Sequence, residues 1–301
     1  MLSPEVKERF RTEPARAIEV EIKAFVRTSP LNRMPSGRDL TIFDEPLVRF
    51  AAGDDPLYTR YKEIIGEEHL TPQEAVAQAG AEVPAKLSII SYVLPIMEAT
   101  RLSNRREKEV PSRRWSHTRY YGELFNEALR QHVVDVLTEA GYLAVSPALQ
   151  PYFRTLTSEK TGIFSVWSER HTAFAAGHGT FGLSDGFITP RGIAHRCGSV
   201  ITDLPLPVSP RVHDDPYGNC VYYADGTCKA CAVRCPADAI TADGHDKRQC
   251  LLRLRDIGYL PISAEYNDET SVYGCGLCQT KVPCEYRIPA KIEKRRGRGE
   301  N

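Results

Sequence analysis

The chain has 301 residues, and its 39 lysines and arginines balance 39 aspartates and glutamates, so the formal net charge is zero. That balance gives no global attraction to nucleic acid or to an anionic membrane surface. The 42% hydrophobic content is enough to bury a core.

The opening stretch MLSPEVKERF is charged and lacks the apolar segment of a signal peptide. SPEVKERF carries the cap and early acid of a helix start. DPLYTRYKEIIG and TPQEAVAQAG read as two further amphipathic helices, the second with Pro72 at its first position and Gly80 just past its end. Residues 1–80 are thus expected to be helical and irregular. The apolar run 87–97, LSIISYVLPIM, is too short to cross a bilayer and reads as a buried strand. A cytoplasmic protein without a membrane segment is expected.

Residues 121–140 place Leu124, Phe125, Leu129, Val133, Val136 and Leu137 at helical spacing, and Gly141 ends the run. YLAVSP follows as a short strand, residues 168–176 as a helix, and GSVITDLPL as a β-branched strand. Helices and strands intermix, so the fold class is α/β (α+β). The four prolines of LPLPVSPRVHDDP mark a boundary near residues 204–216. The expected division is 1–80, 81–212 and 213–301.

All nine cysteines fall in the last third, the first being Cys197. In a reducing compartment, clustered cysteines bind metal more often than they form disulfides. Cys228-KA-Cys231-AVR-Cys235-Pro236 matches the later part of the bacterial ferredoxin run, in which the cysteine before proline ligates the other cluster. Eight cysteines then make two quartets. Cys220, Cys228, Cys231 and Cys284 would hold one [4Fe-4S] cluster; Cys235, Cys250, Cys275 and Cys278 would hold the other. Two departures stand out: Cys220 precedes Cys228 by a loop, and Cys284 is followed by Glu285 in place of proline. A pair of zinc ribbons is the competing assignment for the same C-x2-C pairs. Cys197 reads as a buried small hydrophobe or as a cofactor-facing thiol.

Upstream lie Gly177, Gly179, Gly182 and Gly186, which suit sharp turns or a close backbone approach. No Walker A lysine follows them and no strand precedes them, so a nucleotide phosphate cradle is not expected.

The blocks 176–182 (AGHGTFG), Ile188-Thr189, 198–206 (GSVITDLPL), 228–236 and 273–279 (YGCGLCQ) occur in one order. Together they resemble the cobalamin-dependent iron–sulfur family of epoxyqueuosine reductases and reductive dehalogenases. The resemblance implies a nitroreductase-like corrinoid-binding domain followed by a ferredoxin-like double [4Fe-4S] domain. It implies a corrinoid (cobalamin) lined by Gly177, Gly179, Thr180, Phe181, Ile188, Thr189, Cys197, Gly198, Ser199, Val200 and Thr202. Electrons would pass from an external ferredoxin or flavodoxin through the clusters to cobalt. In epoxyqueuosine reductases a carboxylate precedes the glycine turn; aligning the E-R of that motif with Glu169-Arg170 puts Ile163 there. Glu169, Tyr152 and His178 are the replacement candidates for proton transfer. The expected function is reductive chemistry on a small molecule, with nucleic acid not expected as a partner. The rivals are an electron-transfer module, a corrinoid-handling protein and a tRNA epoxyqueuosine reductase.

Overall fold

The computed structural model describes residues 2–34, 40–212, 214–258 and 274–299. Tyr273, the first residue of the YGCGLCQ block, lies outside them.

The chain builds a mixed helix and sheet structure around an antiparallel four-stranded sheet. Its central strand β2 (Ser88–Pro95) pairs with β1 (Leu47–Ala52) on one side and β8 (His195–Thr202) on the other, and β3 (Ala144–Val145) closes the far edge on β8. Strand β2 is buried from Ile89 to Pro95, which explains its nearly unbroken apolar run. Alternation sends Ile90, Tyr92 and Leu94 to one face and Ile89 to the other.

On the first face lie α1 (Pro4–Thr12), α2 (Pro14–Thr28) and the long α6 (Arg113–Glu139). Phe10, Ile18 and Ile22 meet Phe125, Leu129 and Val133 there in one core with Ile90 and Tyr92. On the second face, α3 (Leu57–Ile64), α4 (Pro72–Gln78) and α7 (Glu169–Ala175) pack with Trp167 against Ile89 and Ile201. The three layers share residues from positions 10 to 204. The first 80 residues therefore do not stand apart; they supply an edge strand and part of both cores.

Several expected elements form with shifted bounds. Helix α6 begins at Arg113, eight residues before the expected Tyr121, because the Ser112 hydroxyl accepts from Trp115 N at 3.2 Å and caps it there. Strand β1 and the hairpin of β4 (Thr155–Ser158) with β5 (Gly162–Ser165) carry only weak sequence signals. Between them and β8 lie the short strands β6 (Thr180–Phe181) and β7 (Phe187–Ile188).

The cysteine-bearing part follows. It consists of α8 (Val221–Asp225), α9 (Ala230–Val233), the pair β9 (Ile240–Thr241) and β10 (Gly244–His245), α10 (Lys247–Gly258) and α11 (Ala290–Gly297). Leu183, Ile188 and Ile193 form a small core with its Cys220, Ile240 and Val282. The basic run is not free: in α11, Lys291 pairs with Asp225 at 2.8 Å and Arg295 donates to Ala224 O at 2.8 Å.

Two predictions come from this packing. Gly198 faces Tyr92 across β2 and β8, and a Cβ there would lie 2.3 Å from the tyrosine ring. Gly198→Ala should destabilise the protein by about 1–3 kcal/mol, read as a lower urea midpoint. Burial lowers His69 to about 4 and His171 and His178 to about 3, from an ordinary 6.5. The unfolded chain takes up these protons first, so their contribution to stability is intact above pH 6.5 and is lost as pH falls toward 4 and 3. Each imidazole should add up to about 1.4 kcal/mol per pH unit to the slope of unfolding free energy in that window. A flat profile between pH 6.5 and 4 would contradict the burial of all three.

Candidate functional site

The eight later cysteines gather into two groups. Cys220, Cys228, Cys231 and Cys284 line one small void walled by Leu183, Ile188, Ile193 and Val282. Cys235, Cys250, Cys275 and Cys278 line a second cavity of about 250 Å³. The chain crosses between them within one turn: Cys231 serves the first group, and Cys235, at the end of α9, serves the second. Pro236 then cannot continue the helix. The thiol charges interact mostly within the same groups, although Cys278 also feels Cys231 of the other one. Cys284 is raised by burial and by Cys231, Cys220 and Cys228, and Cys275 is pushed up to about 11 by burial, Cys250 and Cys235. A bound cation would reverse these shifts.

Among the described residues, no three His, Cys, Asp or Glu side chains converge on a single-ion position. A tetrahedral zinc site needs sulfurs ~3.8 Å apart, given a Zn–S bond of about 2.3 Å.

Cys284 is held with particular care. The carbonyls of Cys284 and Glu285 accept from Ile193 N and Ala194 N at 2.8 and 3.2 Å. The Glu285 side chain is fully buried and takes Arg101 at 3.0 Å, Arg105 at 2.7 Å and Lys281 N at 2.7 Å. The glutamate that stands where proline was expected thus anchors the Cys284 segment to α5 (Glu98–Arg105). At the second group, Gly274 and Gly276 adopt positive φ of 62° and 60°. A Cβ on Gly276 would lie 2.0 Å from the Trp115 indole, so the first turn of α6 packs directly on the cysteine loop. Arg119, Arg170, Arg196 and Arg253 also line this cavity. Sequence reading had singled out none of these four as neighbours of the thiols, since they come from separate elements.

A third cavity, of about 320 Å³, adjoins the second, and Arg170 lines both. Its other cations are Arg60 and Lys247, its acids are Asp185 and Asp214, and Tyr61, Phe164, Phe174, Phe181 and Tyr217 supply aromatic walls. Ile163 lines it too. Lys247 is lowered from its ordinary value by burial, against the opposing pull of Asp185.

The three expected proton donors sit elsewhere. Tyr152 donates to Ala75 O at 2.9 Å and packs on the second core. Glu169 accepts from Ser199 at 2.6 Å and pairs with the buried Arg130 at 3.4 Å; burial raises its carboxyl, with Arg130 opposing. His178 donates from Nε2 to Ser91 O at 3.0 Å. All three are tied into the scaffold, and none lines the second or third cavity.

The expected corrinoid lining does not form one surface either. Phe181 lines the third cavity, Ile188 the void at the first quartet, and Gly177, Gly179 and Thr180 a separate small cavity. Thr189, Cys197, Gly198, Ser199, Val200 and Thr202 line none of these. The glycines are spent on the protein itself: Gly177 approaches Pro210 O, Gly179 approaches Ile188 O, and Gly198 admits Tyr92. Cys197 is buried 3.5 Å from His195 Nδ1, and burial pushes its thiol up to about 12. These eleven residues are thus spread over several of the described cavities and do not share one of them.

No family model matches the chain. Curated epoxyqueuosine reductases do match in sequence. That of Vibrio cholerae serotype O1 is 26% identical over 211 residues, covering 67% of this chain and 50% of the relative. That of Francisella cf. novicida is 25% identical over 238 residues, covering 76% and 59%. The chain spans about half the length of these curated relatives. Among solved structures, epoxyqueuosine reductase from Bacillus subtilis overlaps with a TM-score of 0.47 at 17% identity, covering 92% of this chain and 68% of that one. The catabolic reductive dehalogenase NpRdhA in complex with 3-bromo-4-hydroxybenzoic acid gives 0.49 at 14%, covering 96% and 40%. The sequence likeness is thus to the epoxyqueuosine reductases, and the resemblance carried by the glycine and cysteine motifs holds.

Proposed function

We propose that the chain is an iron–sulfur oxidoreductase that delivers electrons to a small molecule bound in the 320 Å³ cavity. The observation that carries this reading is the crossed pair of cysteine quartets, the second of which adjoins that cavity through Arg170. Cys220, Cys228, Cys231 and Cys284 would hold one [4Fe-4S] cluster, and Cys235, Cys250, Cys275 and Cys278 the other. Bound clusters would supply one-electron steps, fed by a ferredoxin- or flavodoxin-class donor.

The chain's own residues do the rest. The arginines around the second quartet balance thiolate charge. The aromatic walls exclude water and accept a flat or apolar body, while Arg60, Arg170 and Lys247 favour an anionic group on it. Lys247, with its lowered affinity for a proton, is the group in this cavity best suited to give one up.

A second reading, reduction of epoxyqueuosine in tRNA, is favoured by the names of the sequence relatives. One solved epoxyqueuosine reductase was determined with an epoxyqueuosine-modified tRNA stem loop. Against it stands Ile163 in the cavity where that family is expected to carry an acid.

Oxygen-free protein should contain roughly eight iron and eight sulfide per chain, and zinc in their place would overturn the reading. Cobalt measured in the same sample decides whether a corrinoid accompanies the clusters. The crossing has its own test. The pair Cys228→Ala with Cys231→Ala should remove about half the iron, because both thiols serve one cluster; Cys228→Ala with Cys235→Ala should remove nearly all of it. If the second pair retains half, the quartets are assigned wrongly.

Glu285→Ala leaves Arg101 and Arg105 without their carboxylate. It should cost on the order of 2 kcal/mol, since both arginines reach the surface and can rehydrate. Iron loss confined to the quartet of Cys284 should accompany it. Lys247→Met should lower turnover and abolish its alkaline limb while leaving iron content unchanged. Restoration of queuosine in a reductase-deficient strain by this chain would establish the tRNA reading over the small-molecule one.

A further inference from the structure

The segments that carry the first quartet also carry unpaired positive charge. Lys229 lies between Cys228 and Cys231, Lys281 precedes Cys284 by three residues, and Arg287 follows it by three; all are exposed. Among the described residues none of them forms an ion pair. Lys229 Nζ rests 5.9 Å from the centre of the Tyr222 ring, and the Arg287 guanidinium 5.4 Å from that of Tyr286. The carboxylates on the same segments are already used. Asp225 pairs with Lys291 at 2.8 Å, and Glu285 is buried with Arg101 and Arg105 as its partners. Glu107 and Asp238 lie past the end of α9, against Arg234 and Cys235, so the positive excess is on the side of Cys228 and Cys284.

Val233 of α9 is 85% exposed. Its N–H donates to Lys229 O at 3.0 Å, and this four-residue spacing puts the two side chains on one face of the turn. Arg234 ties that turn to the loop before Lys281, donating to Leu277 O at 3.3 Å and to Thr280 O at 3.2 Å. Tyr286, 43% exposed, sits beside Arg287, Arg101 and Arg105.

We propose that this surface docks a small acidic one-electron carrier protein, which feeds the first quartet. The proposal rests on the iron–sulfur reading of the quartets. In that reading the second quartet adjoins the 320 Å³ cavity through Arg170, which leaves the first as the point of entry. The two are near enough for Cys231 to act on Cys278 across the divide. Each encounter would oxidise the carrier by one electron and reduce the loaded quartet by one, with no bond made or broken.

A carrier that docks, delivers and leaves needs a small interface steered by charge rather than a large apolar one. Unpaired cations beside one exposed valine match that need, and an acidic partner complements them. A nucleic acid backbone would meet the cations but offer the valine only phosphate. A second copy of this chain, packed on the same surface, would set like charges against each other.

The test is stopped-flow reduction of iron-loaded, oxygen-free chain by flavodoxin hydroquinone, followed at the cluster absorbance. The rate should fall roughly tenfold as salt rises from about 20 to about 300 mM. Lys229→Glu, Lys281→Glu, Arg287→Glu and Val233→Asp should each slow it roughly three- to tenfold at low salt, with iron content and reduction by dithionite unchanged. Arg27→Glu, an equal change of charge in the last turn of α2, should leave the rate within about twofold. An iron-loaded chain whose reduction by flavodoxin ignores both salt and these changes would overturn the docking surface alone. Absence of iron would overturn the quartet reading and the docking surface together. If the same changes abolish binding of a tRNA stem loop while the flavodoxin rate holds, the surface belongs to nucleic acid. If Val233→Asp splits a dimer while the rate holds, it belongs to a second copy. Either result overturns the proposal.

Discussion

The buried ion pairs of Glu285 hold the helix-and-sheet scaffold and the cysteine-bearing part together. One carboxylate, shut away from water, takes two guanidinium groups from α5 and a backbone amide from its own loop. Its neighbour Cys284 is thereby fixed against the start of β8, through the amides of Ile193 and Ala194. A buried carboxylate is tolerated only when such partners surround it. Here they also set the position of the thiol that travels furthest along the chain to join its quartet. The scaffold of helices and sheet and the sulfur-bearing tail are thus joined by electrostatics at a point where a backbone turn alone was expected.

The remaining contacts between these parts follow the same logic of close approach. Trp115 fits onto Gly276, and Arg119 onto Gly274, because those glycines have no side chain to block them and adopt positive φ. The turn between β6 and β7 feeds Leu183, and β7 feeds Ile188, into the small core around Cys220. Arg170 stands between the second quartet and the aromatic cavity, so the two share a cationic wall.

Much of this was legible in the sequence, for identifiable reasons. The partition of the eight thiols followed from Cys235-Pro236, because proline forces the chain off its helix and toward the other group. Helix α4 was marked by Pro72 and Gly80, and β2 by its apolar run. The role of the glycines was less legible. Gly177, Gly179 and Gly198 do mark close approaches, but the approaching groups are Pro210, Ile188 and Tyr92 from this same chain. Sequence alone cannot distinguish a cofactor from a neighbouring strand at such a point. The surroundings of the proton-donor candidates were equally hidden: Glu169 is paired with Arg130, 39 positions earlier, and that partner is visible only once α6 and α7 pack together. Ile163 and Arg170 were noticed as an aligned motif, yet the cavity they border needed the β4–β5 hairpin, which has little periodicity to announce it.

The interleaving of the quartets has a consequence for how the protein is made. Each group draws at least one thiol from beyond residue 274, although the first of its sulfurs emerges from the ribosome far earlier. Neither can be completed on a partly synthesised chain, however many of its cysteines are already exposed. Clusters held on these thiols would have to wait for nearly the whole described polypeptide, and the early thiols would have to be kept reduced and out of mismatched pairings in the interval.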